Sequence, residues 1–80
     1  MLDKNTNQRI VVRLHEENGP YIVVSDATDA QALQHLFDAR YFVLYWIDTP
    51  DELRDQGGCR VFFGNGASVA KVQAILDEIE

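Results

Sequence analysis

The chain has 80 residues, 46% of them apolar and 25% charged, which specifies one globular domain and excludes a disordered or fibrous chain. Thirteen Asp and Glu against seven Lys and Arg leave a net charge of −6, which repels nucleic acid and anionic membranes and favours basic partners. Surface scaling gives a folded area of about 4,900 Å². Burial of roughly 5,000 Å² of apolar surface at ~25 cal/mol per Å² contributes ~125 kcal/mol, against ~120 kcal/mol for ordering the chain. A fold with so narrow a margin gains measurably from a partner or a second copy.

Residues 1–8 are polar and read as a flexible N-terminal segment ahead of a single domain over 9–80. They lack the apolar stretch of a signal peptide. Cys59 is the only cysteine, so the chain makes no internal disulfide and a cytoplasmic setting is expected. No apolar run approaches the 18 residues of a membrane span.

Arg9 to His15 alternates and reads as a first strand, with Ile10, Val12 and Leu14 on one side and Arg9, Val11, Arg13 and His15 on the other. Asn18-Gly19 is a hairpin signal, because both residues tolerate positive φ, and Tyr21 to Val24 returns as a second strand. Ser25, Asp26 and Thr28 offer helix caps ahead of Ala30, Leu33, Leu36 and Phe37, which recur at helical spacing up to about Arg40.

Tyr41 to Asp48 reads as a third strand, apolar on both faces and therefore central or partnered. Thr49-Pro50-Asp51-Glu52 reads as a cap, a first-turn proline and a capping-box glutamate before one helical turn through Arg54. Cys59 to Phe63 forms the fourth strand. Gly64-Asn65-Gly66 turns the chain, and Ser68 caps a last helix carrying Val69, Val72, Ile75, Leu76 and Ile79. Residues 23–39 and 62–78 share apolar phase at an offset of 39, with Gln34 over Gln73, so both helices use the same face.

The order ββαββα specifies an α+β two-layer sandwich: a four-stranded antiparallel sheet with two helices on one face, in a permuted ferredoxin-like arrangement. The opposite sheet face is left open. Because facing helices need large apolar residues, Ile10, Val12, Leu14, Phe42, Leu44 and Trp46 are assigned inward. The open face then carries Arg9, Val11, Arg13, His15, Tyr41, Val43 and Tyr45, with Ile47 a further candidate, since a tyrosine ring packs while its hydroxyl seeks water. The second strand adds Tyr21 and Val23 or Ile22 and Val24. The fourth adds Arg60 and Phe62 or Cys59, Val61 and Phe63.

No catalytic residue, metal ligand or cofactor is nominated. His15 and His35 lack metal-site spacing, Cys59 has no local nucleophile signature, and Gly64-Asn65-Gly66 leads to Val69 where a dinucleotide fingerprint needs a third glycine. The loop acids Asp48, Asp51, Glu52 and Asp55 do not match a calcium loop. The chain is therefore expected to be no enzyme. It reads as a small acidic protein-binding module or inhibitor of the immunity or phage-encoded kind. Arg13, Tyr41, Val43, Tyr45 and Arg60 supply anchors, and Asp48, Asp51, Glu52 and Asp55 an acidic rim toward a basic protein partner. A homodimeric ligand-binding or regulatory domain is the alternative. A single-stranded nucleic-acid platform lacks both the RNA-binding signature and the charge.

Overall fold

The computed structural model describes residues 1–79. Four strands, β1 (Arg13–His15), β2 (Gly19–Asp26), β3 (Trp46–Asp48) and β4 (Gly57–Phe62), form one antiparallel sheet in the order β1-β2-β4-β3. The helices are α1 (Ala27–Ala39), the single turn α2 (Asp51–Arg54) and α3 (Val69–Glu78). The accessible surface of 5116 Å² lies close to the value scaled from mass.

Local sequence explains most boundaries. Gly19 takes φ +80° at the β1–β2 turn, a conformation that costs glycine little. Asp26 caps α1 by accepting the Thr28 N–H at 2.8 Å, and Ser68 caps α3 by accepting the Lys71 N–H. Ala30, Leu33 and Phe37 of α1 and Val72 and Leu76 of α3 enter one core with Ile10, Val12, Ile22, Val24, Cys59, Val61 and Phe63. Both long helices thus serve the same sheet face, and the α+β two-layer arrangement holds.

Residues 10–12 leave the sheet and are held by a side chain instead. The Val12 N–H donates to Gln73 Oε1 at 2.9 Å, and Gln73 Nε2 donates to the Ile10 carbonyl at 3.1 Å. The primary amide of α3 presents the same donor and acceptor that a neighbouring strand would.

Residues 1–8, expected as a flexible lead-in, lie against the fold through several hydrogen bonds. Leu2 bridges Arg9, the Asp3 N–H donates to the Gln8 carbonyl, and the Ile10 N–H donates to the Met1 carbonyl. The Asp3 carboxylate is buried and accepts from the Asn5 and Thr6 N–H groups and from Ser25 Oγ. Burial raises its pKa, but these hydrogen bonds outweigh that and leave it below the ordinary value.

Three local expectations are corrected. The third strand is three residues rather than eight, because Phe42 takes φ +53° and breaks the extended run after Tyr41. Its parity is the reverse of that assigned: Val43 and Tyr45 pack against the core, while Phe42, Leu44 and Trp46 are exposed, as is Leu14 on β1. The Thr49 cap and Glu52 capping box do not form either. Pro50 occupies the cap position of α2, with no side-chain hydrogen bond.

Candidate functional site: the open sheet face

Residues directly opposite on antiparallel strands share a face. The register Arg13↔Tyr21↔Phe62↔Trp46 therefore sets one row across all four strands, and Val23↔Arg60↔Asp48 a second row on the same side. Ile22, Val24, Cys59 and Val61 point to the helices. The first row thus lies on the face that α1 and α3 leave open.

The aromatic rings of this row stack on one another. Phe62 lies 5.1 Å from Tyr21 on β2 and 5.3 Å from Trp46 on β3, at interplanar angles of 23° and 12°. Because β2 and β3 flank β4, both ring faces of Phe62 are covered. His15 meets its edge at 5.7 Å, and the Arg60 guanidinium lies 5.4 Å from its centroid. Phe62 is only 2% exposed although it stands outside the helix-side core, so the row buries its central ring by itself. Trp46 remains 46% exposed.

Charge frames the row. Arg13 is exposed and forms no ion pair among the described residues. Arg60 is tied to Asp48 through a charge-assisted pair, its Nε donating at 2.8 Å and a second nitrogen reaching the same oxygen. Beyond Asp48, α2 and its C-cap expose Asp51, Glu52 and Asp55, with Arg54 paired to Asp51 at 3.0 Å across the solvated turn.

The residues nominated from sequence therefore divide. Arg13, Arg60 and Asp48 lie on the open face, and Asp51, Glu52 and Asp55 on the turn beside it. Tyr41, Val43 and Tyr45 do not lie there as anchors. The Tyr45 ring sits 5.6 Å from Phe37, and its hydroxyl donates to Asp38 of α1. Burial and that carboxylate both raise the Tyr45 pKa. The Tyr41 hydroxyl is buried without a partner among the described residues, under the Arg40 guanidinium. The anchors that sequence reasoning missed are Trp46, assigned inward, and Tyr21 with Phe62, left as one of two choices. An aromatic at equivalent positions of three neighbouring strands was the available signal.

Other chemistry is sparse. Cys59 is buried, and burial raises its thiol pKa, which disfavours the thiolate. No cluster of three metal-ligating side chains occurs among the described residues. A cleft of about 350 Å³ separates residues 8–11 from Val23 and Ser25, where β1 has left the sheet. Among the described residues no helix is long and apolar enough to cross a membrane.

Fold and site together define an α+β two-layer domain with a self-stacked aromatic row on its helix-free face. No family model, curated protein or solved structure matches this chain.

Proposed function

We propose that this domain is a small acidic protein-binding module, of inhibitor type, that occupies a basic surface of a cytoplasmic partner protein. The observation that carries the reading is the row Tyr21–Phe62–Trp46, with Arg13, which has no ion pair among the described residues, at one end and the acidic α2 turn beyond the other. Tyr, Trp and Arg are the residues that most often anchor protein interfaces. A rigid, pre-stacked row loses little side-chain entropy on binding. The acids at 51, 52 and 55 steer a basic partner toward it.

The same geometry disfavours a nucleic-acid platform. Bases stack on free ring faces. Here both faces of Phe62 are already taken, and the chain carries a net charge of −6.

Affinity capture from cells, with the bound protein identified and purified for a two-component binding measurement, tests the reading. Tyr21→Ala and Arg13→Ala should each weaken that binary complex at least tenfold without unfolding the domain. Asp51→Lys with Glu52→Lys should chiefly slow association, and added salt should do the same. A complex indifferent to all four substitutions refutes the proposal.

A further inference from the structure

The chain holds two asparagine–glycine pairs, Asn18-Gly19 and Asn65-Gly66, and the fold brings their turns into contact. The Asn65 Nδ2 group donates to the Glu17 carbonyl at 3.0 Å. A Cβ at Gly19 would come within 2.9 Å of Asn65 Cα and Oδ1, so the β1–β2 turn and the β4–α3 turn lie against each other. The contact reaches the aromatic row through His15. Its Nδ1 accepts the Glu17 and Asn18 N–H groups at 3.2 Å each, and its ring edges onto Tyr21 and Phe62.

The two pairs share a reactive sequence but not a backbone setting. An asparagine side-chain carbonyl can be attacked by the backbone nitrogen of the next residue, and glycine there gives the least hindrance and the widest range of φ and ψ. Gly19 is denied that freedom. It is buried at φ +80°. The Phe63 N–H donates to the Pro20 carbonyl, so Pro20 turns its backbone toward β4 and Gly19 turns its own toward His15 on β1. Gly66 is exposed, its N–H has no hydrogen-bond partner among the described residues, and nothing lies within 4 Å of where its Cβ would stand. The turn around it is closed by the Ala67 N–H, which donates to the Gly64 carbonyl at 3.1 Å.

We propose that Asn65 is a modification site, where the Gly66 nitrogen converts the side-chain amide into a carboxylate and thereby releases the β1–β2 turn. The Gly66 nitrogen gives its proton to water and bonds to Asn65 Cγ. The Cγ–Nδ2 bond breaks, that nitrogen leaves as ammonia, and a succinimide remains. Water then adds at Cγ or at the backbone carbonyl carbon of residue 65 and breaks its bond to the Gly66 nitrogen, which regains a proton. The first route leaves aspartate. The second leaves isoaspartate, whose main chain runs through Cβ and Cγ and is one atom longer. Overall one amide and one water become one carboxylate and one ammonium, with no oxidant or cofactor. The new carboxylate has no N–H for the Glu17 carbonyl and sets a negative charge against its oxygen, in a chain already at −6.

Peptide mapping of the intact chain, held in neutral buffer at body temperature and sampled over time, tests the proposal. Asn65 should convert roughly tenfold faster than Asn18 in the folded chain, and the two should convert at similar rates in urea. Gly66→Ala, for which the turn has room, should keep a native circular-dichroism spectrum and slow conversion at position 65 about tenfold by hindering the attacking nitrogen. Asn65→Asp should lower the thermal midpoint and speed hydrogen exchange at the Glu17 and Asn18 amides several-fold. None of these measurements involves a bound partner. An Asn65 that stays intact or converts no faster than Asn18, a rate difference that persists in urea, a Gly66→Ala chain that converts like the parent, or an Asn65→Asp chain whose turn amides exchange like the parent's, overturns the proposal.

Discussion

Trp46 and Phe62 stack at 5.3 Å with their planes only 12° apart, although the two residues come from strands separated by the α2 turn. The contact joins the short edge strand to the centre of the sheet and completes the cover over Phe62. Trp46→Ala should therefore do two things. It should cost ~1–2 kcal/mol of stability, from lost burial and one aromatic pair. It should also expose Phe62, seen as increased binding of a hydrophobic dye by the still-folded chain. A variant as stable as the parent, with no added dye binding, would show that the stack contributes nothing.

Gln73 replaces a strand. Gln73→Ala leaves the Val12 N–H and Ile10 carbonyl without protein partners and should destabilise by ~1–3 kcal/mol in chemical denaturation. Gln73→Glu keeps the acceptor for Val12 but loses the donor to Ile10 and places a second carboxylate near Asp77. It should be no more stable than the alanine variant at pH 7 and should recover part of the difference as the new carboxyl is protonated. Hydrogen exchange at the Val12 amide should accelerate in both.

The Arg9–Asp77 pair predicts an acid-side signature. The Asp77 carboxylate accepts from Arg9 Nε at 2.9 Å and from the second nitrogen at 2.6 Å, which holds its pKa at about 2 against an ordinary 3.8. A depressed folded-state pKa stabilises the fold above the unfolded value, and that contribution disappears as pH falls from about 4 toward 2. The pair is solvent-exposed, so salt should shrink the effect. The urea midpoint of Asp77→Asn should fall less steeply than that of the parent through this window. Equal slopes would contradict the assignment.

Tyr41 yields a prediction of opposite sign to its sequence reading. Its hydroxyl is buried and unpaired among the described residues. Tyr41→Phe removes an unsatisfied polar group and should be neutral or stabilising by up to ~1 kcal/mol, with partner binding unchanged. A clear loss of stability or of binding would show that the hydroxyl has a partner after all.

Much of the architecture was legible because local chemistry agreed with the global fold. Asn18-Gly19, Ser68 and the helical spacing of Leu33, Phe37, Val72 and Leu76 each admit one reading, and the cap of α1 is narrowed to Ser25, Asp26 or Thr28, of which the structure uses Asp26. The sequence–structure correspondence fails from Tyr41 to Trp46, where every residue is apolar and alternation alone has no sign. The tyrosine argument also misled there. Tyr45 meets both its needs at the rim of α1, with its ring on Phe37 and its hydroxyl on Asp38, so an amphipathic residue did not require the open face. Phe42 in a left-handed conformation could not be anticipated, because phenylalanine does not favour it. The stacked row depended on pairing register, which needs both strands placed.

Amide shift mapping of the isotope-labelled domain against its purified binding partner tests the central claim most directly. Perturbations should concentrate at Arg13, Tyr21, Val23, Trp46, Arg60 and Phe62, with secondary shifts at Asp51 to Asp55. Perturbations confined to the outer surfaces of α1 and α3, with the aromatic row silent, would contradict the account.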